Sequence, residues 1–375
     1  MAHSYTPGLK VLHYSKIKNN RRLPIKGEVC KDCGDQVKAD EIVAKTNLPG
    51  NVHMVKIANL LNISPADIKD VLKIKIGDHV LKNDIIAENS GLFGFFKSDV
   101  RSPISGTVES ISDVTGQIAM RDQPIPVEVD AYVEGEIVEV IPEEGVVVQS
   151  EAAYIQGIFG IGGESRGNLK LLVNSRTDEI KIEDLDSNLE GKIIVGGSFI
   201  GIEAYKKAIE LKIAGVIVGG FNYYDLEEIL GYTLGVAITG TENLITSLIV
   251  TEGYGKIKMS DRTFNLLKKH DSKFVSINGA TQIRAGVIRP EIVIPLSSGE
   301  IKNDNSKSNK RLGIEKGSLI RVIRAPYFGK IGEVVSLPAE LQKMESETMV
   351  RVAEVKIDNM SYIVPRSNLE MLETD

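Results

Sequence analysis

Cys30 and Cys33 bracket Lys31 and Asp32, and a Cys-x-x-Cys spacing is what two thiolates need to share a metal or a disulfide. Zinc would require two more ligands. No other cysteine exists, so they would have to be histidine or carboxylate, and His53 and His79 are the nearby histidines. A redox role would call for a thioredoxin-like βαβ unit after the pair, and none follows. The pair is thus only a weak metal signal, and aligning two internal repeats places Cys33 opposite Ile76, as a buried apolar residue. Glycine offers a second chemistry. The run Gly157 to Gly167, with Arg166, has backbone N–H groups to cradle an anion but lacks the lysine of a phosphate loop. Gly197, Ser198, Gly220 and Gly240 follow apolar runs that read as parallel strands. Open parallel sheets bind ligands outside their strand carboxyl ends, so a small anionic ligand would lie there. The competing reading is that these glycines only let chain and helix pack closely.

Cations and aromatics form the other groupings. Arg321, Arg324 and Lys330 flank Tyr327 and Phe328, the mixture of charge and stacking surface that single-stranded RNA sites use; alternatively Phe328 fills a core and the cations are solvated. Lys16, Lys18, Arg21, Arg22 and Lys26 crowd into eleven residues. Leu92, Phe93, Phe95 and Phe96 hold three of the nine phenylalanines. On a hairpin tip they would dock a protein partner or, beside Lys97 and Arg101, touch a membrane surface; folded under the first domain they would do neither. Five scattered histidines, no Gly-x-Ser-x-Gly and no His-Glu-x-x-His leave no catalytic residue to assign. Arg284 and Arg289 read as partners of the domain's acids rather than as an anion site. We assign no cofactor and read the chain as non-enzymatic.

The elements that must position these groups come in three kinds. Gly34-Asp35-Gln36-Val37 with Glu41-Ile42-Val43-Ala44 is repeated as Gly77-Asp78-His79-Val80 with Asp84-Ile85-Ile86-Ala87, which is strand, turn and strand chemistry. From Lys192 to Gly240 strands ending in Gly-Gly alternate with helical stretches, giving βαβ order and a mostly parallel sheet. Residues 299 to 312 are a polar linker, and short alternating strands follow it. The expected division is an N-terminal arm at 1–19, a β-rich domain at 20–150 with a short helical insertion at 55–71, an α/β domain at 151–298, the linker 299–312, and a small barrel at 313–375.

Through the strings at Gly77-Asp78, Ile85-Ile86-Ala87-Glu88 and Ser102-Pro103-Ile104-Ser105-Gly106-Thr107-Val108, the domain at 20–150 resembles the barrel-sandwich hybrid of biotinyl and lipoyl domains, nearest the module of the C subunit of Rnf-type electron-transport complexes. The carrier lysine signature is missing around Lys97. The stretch from 313 to 372, with Gly329, Gly332 and the closing Val364-Pro365-Arg366-Ser367-Asn368-Leu369-Glu370, resembles the SH3-like KOW module of ribosomal proteins and NusG-type transcription factors. The fold class expected is therefore a multidomain α/β plus β chain. At 375 residues with 42% apolar and 26% charged residues it has room for three cores. A net charge of -6 argues against a chain-wide nucleic-acid footprint. No apolar run reaches membrane-spanning length and no signal peptide opens the chain, so a cytoplasmic location is expected. The resemblances imply an adaptor with a protein partner, with RNA or the ribosome as the partner of the KOW module. The alternatives are an accessory subunit of a membrane-associated or electron-transfer assembly, and an enzyme or sensor using the sheet edge.

Overall fold

The computed structural model describes residues 9–89, 97–231, 239–240, 242, 244–282, 288–301, 314–324, 326–327, 330–344, 349–358 and 360–371. The chain is mostly β, in several sheets, and no helix among the described residues is long and apolar enough to cross a membrane. The Gly-Asp turns of the two repeat copies fold alike. Gly34 and Gly77 take φ of +96° and +94°, a left-handed turn that glycine enters without strain. The Asp35 carboxylate accepts the backbone N–H of Asp32 at 2.9 Å, and Asp78 accepts that of Lys75 at 2.7 Å. Each glycine N–H then donates to the strand that covers its turn, Gly34 to Ile137 at 2.7 Å and Gly77 to Val108 at 2.8 Å. The first copy closes over a core of Val37, Val43, Ile137, Val146 and Val148, the second over Val80, Ile86, Val108, Ile118 and Met120. Between them the helices Ile57–Leu61 and Ile68–Val71 supply Ile57 and Ile68 to the second core, as the helical insertion predicts.

Most of Val11–Arg22 falls in the expected N-terminal arm at 1–19, yet it is a twelve-residue strand that runs on past residue 19 and pairs antiparallel with Gly145–Gln156. That partner crosses the expected boundary at 150/151: its second half pairs with Glu291–Pro295 of the α/β part. Consequently the two regions share one continuous sheet.

In the α/β part, Glu164–Leu171, Ile193–Val195, Gly215–Phe221 and Ser247–Tyr254 run parallel to one another, flanked by the antiparallel strands Phe274–Asn278 and Phe159–Ile161. The helices Ile202–Glu210, Tyr223–Leu230 and Asp261–Lys269 occur between and after them. All seven residues of Gly215–Phe221 are buried, as a strand covered on both faces requires. The expected strand Val236–Gly240 falls mostly on residues 232–238, outside the described residues, and Ser247–Tyr254 was not expected. Asn222 and Ser260 cap two of the helices, Asn222 accepting from Tyr224 N and Ser260 from Thr263 N. The C-terminal strands Leu319–Val322, Ile331–Ser336, Leu341–Lys343, Met349–Ile357, Met360–Pro365 and Leu369–Met371 wrap around Ile320, Val322, Val334, Val355, Val364 and Leu369.

Candidate functional site: a cationic groove in the C-terminal unit

Alternation along Leu319–Val322 turns Ile320 and Val322 into the C-terminal core. Arg321 therefore points out of that core, but it does not reach solvent. At 1% exposure it lies against the α/β part, where one amino group pairs with Glu252 and the other with Glu370 at 3.4 Å. Glu370 also accepts from Arg289 at 3.3 Å, and Glu252 from the backbone N–H of Ser260 at 2.8 Å. Burial raises the Glu370 carboxyl above the usual range, with Arg321 and Arg289 pulling the other way. Arg321 is thus part of the junction between two units and does not line a groove with Arg324 and Tyr327. Arg289 was expected to pair with an acid of its own domain and pairs instead with Glu370 of the C-terminal unit, while Arg284 lies outside the described residues.

Of the remaining described members of the cation and aromatic group, Arg324 and Tyr327 converge. Pro326 and Tyr327 follow the first C-terminal strand, Lys330 N–H donates to Tyr327 O at 3.0 Å, and the Tyr327 ring lies 4.6 Å from that of Tyr362. Beside them opens a groove of about 740 Å³ walled by Arg324, Tyr327, Lys343, Val350, Ile363 and Pro365. No carboxylate occurs among its described lining residues. Arg324 is exposed and makes no ion pair among the described residues. Ile363, Leu341 and Met349 add an exposed apolar ledge. Lys330 stands apart, its amine bonded to Asp358 at 2.9 Å, an interaction that raises its pKa. Phe328 lies outside the described residues, as do Leu92, Phe93, Phe95 and Phe96. Lys343, Ile363 and Pro365 were not singled out in sequence. They come from other strands, and only the closure of the small barrel places them beside Tyr327.

At the parallel-sheet edge the structure packs backbone where a ligand was expected. A Cβ on Gly220 would stand 1.9 Å from Gly255 O, and one on Gly197 2.5 Å from Ser175 O. Ser198 is buried, its hydroxyl donating to Thr177 O at 2.7 Å, and Gly240, at φ +105°, packs on Ala280. The loops at 175–178 and 255–259 fill the edge, which is the close-packing reading of these glycines. Of the basic N-terminal segment, Lys16 pairs with Glu151, Arg21 with Asp130 and Glu164, Arg22 with Glu144, and Lys26 with Glu143. Its charge is largely spent within the fold. Cys30 and Cys33 are both exposed thiols, contrary to the burial expected for Cys33, and no cluster of three metal-ligating side chains occurs among the described residues. No known family model matches the chain, and no curated protein matches it.

Proposed function

We propose that this chain is a non-enzymatic adaptor whose C-terminal unit holds single-stranded RNA in the groove of Arg324, Tyr327, Lys343 and Ile363. The observation that carries the reading is the groove's lining: two cations, a tyrosine face and apolar side chains, with no carboxylate among the described residues. Bases stack on aromatic and apolar faces while cations follow the phosphates, and the pairing is tolerant of sequence. The order of short strands around the core, and the resemblance of 313–372 to KOW modules, support a partner from the translation or transcription machinery. The matched turns at Gly34 and Gly77 support the barrel-sandwich hybrid reading of the N-terminal region, which serves in this proposal as the second docking unit.

Fluorescence anisotropy with a labelled ten-nucleotide oligouridylate tests the proposal. One phosphate contact, from Arg324, predicts an affinity that falls with salt at a log–log slope of about -0.7, and Arg324→Ala should remove that dependence. Tyr327→Ala should weaken binding by about 1–3 kcal/mol through lost stacking, with the melting temperature followed to separate unfolding from lost contact. Binding that ignores salt and both substitutions would reject RNA as the ligand.

A further inference from the structure

A second cavity, of about 540 Å³, lies where three parts of the chain meet. Its walls come from the first turn of the helix Asp261–Lys269, the end of the strand Ser247–Tyr254, and Leu319, Arg321 and Ile331 of the C-terminal unit. Leu9 and Val11 line it from the N-terminal strand region. Small-molecule sites are typically about 300–1,000 Å³, so the space is of the right order for one.

The chemistry of the wall is divided. Leu9, Val11, Ile257, Leu319 and Ile331 make it apolar. Four cations, Arg176, Lys258, Arg262 and Arg321, face it against two carboxylates, Glu252 and Asp261. Both carboxylates are already engaged, Glu252 by Arg321 and the Ser260 N–H, Asp261 by Arg176 at 2.8 Å. Lys258 is exposed and makes no ion pair among the described residues. Arg321, 1% exposed, lines the wall with a buried Nε–H that has no acceptor. The nine-residue helix that begins at Asp261 turns its first turn, the positive end of its dipole, onto the same space. Among the described residues the apolar wall is left open, and of the four cations Lys258 alone lacks a partner, since Arg176 and Arg321 are paired with carboxylates and Arg262 is engaged elsewhere.

We infer that this cavity binds a small amphipathic anion, with its apolar body against Leu9, Val11 and Leu319 and its charged head toward Lys258 and the helix's first turn. The site is independent of the RNA groove and adjoins the glycine edge at which a ligand was expected, since Arg176, Ile257 and Lys258 belong to the loops that pack on Gly197 and Gly220. Because its walls belong to two units, occupancy ties the C-terminal unit to the α/β part and raises the melting temperature as ligand is added.

Isothermal titration of the full chain with decanoate, decyl phosphate, decanol and inorganic phosphate tests the assignment. At least one of the two amphipathic anions should bind, more tightly than decanol and than inorganic phosphate. Lys258→Ala, at an exposed position where folding is not at stake, should weaken that anion about tenfold and leave decanol unchanged. Val11→Trp should fill the cavity and abolish binding, and Arg324→Ala should alter nothing, which separates this site from the RNA groove. Three results overturn the inference: no amphipathic anion binds, the anions and decanol bind alike with no dependence on Lys258, or inorganic phosphate binds as tightly as decyl phosphate.

Discussion

Arg321 shows how a side chain's role depends on what lies outside its own unit. Strand alternation says correctly that it points away from the C-terminal core, and a charge pointing outward reads as solvated. The α/β part covers that face, so Arg321, Arg289, Glu252 and Glu370 form a buried set of two positive and two negative charges. Arg321→Met would leave both glutamates without their shared cation and should cost about 3–5 kcal/mol in urea unfolding. A similar lesson applies to Cys33. The repeat alignment with Ile76 holds in three dimensions, but Ile76 is itself 63% exposed, so equivalence did not imply burial. His270 carries a pH prediction. It is 2% exposed with neither ring nitrogen hydrogen-bonded, and burial, reinforced by Lys273, Lys269 and His13 and opposed by Glu300, lowers its pKa to about 4. The unfolded chain then binds the extra proton first, so stability should fall as pH drops from about 6.5 to 4, by about 3 kcal/mol in all. His270→Leu should flatten that part of the pH profile. Glu300, held down to about 2 by its bond to Lys273, loses its contribution only between about pH 4.5 and 2, below the histidine's window.

At the scale of elements, local chemistry was legible wherever turns and caps decide the outcome. The Gly-Asp copies, the insertion after Ser64-Pro65 and the helix after Ser260 all follow from residues a few positions apart. Ser247–Tyr254 was missed although Leu248-Ile249-Val250 is the continuous apolar run of a strand buried on both faces, because Val236 to Gly240 offered the same pattern sooner. The Gly-Gly strand ends were located correctly but two roles stayed open in sequence, since a backbone cradle and a backbone contact use glycine for the same reason; the packing role is the one Gly197 and Gly220 show. Gly220→Ala distinguishes them. With Gly255 O only 1.9 Å from the new Cβ, the substitution should destabilise by about 3 kcal/mol or more, read as a lower urea midpoint, whereas an open ligand edge would tolerate the methyl.

Across the whole molecule the least legible features join residues more than a hundred positions apart. Arg21 bonds Asp130 at 3.1 Å and Glu164 at 2.6 Å, Tyr132 donates to the half-buried Glu291 at 3.3 Å, whose pKa burial raises, and Arg166, only 36 positions on, bonds the other oxygen of Asp130. These contacts brace the N-terminal region against the α/β part, and no spacing in sequence announces them. Asp130→Ala should therefore cost about 2 kcal/mol and speed proteolysis at the junction, even though Asp130 belongs to no core. The long pairing of Val11–Arg22 with Gly145–Gln156 has a further consequence, in time rather than in space. At about 5–20 residues per second of synthesis, the first strand exists for on the order of ten seconds before its partner has been made. Throughout that interval it offers a line of unpaired N–H and C=O groups to any other nascent copy. Lys16, Lys18, Arg21 and Arg22, spaced along it, make such a meeting one of like charges, so the positive run that finds its acids only in the finished fold guards the strand while it waits.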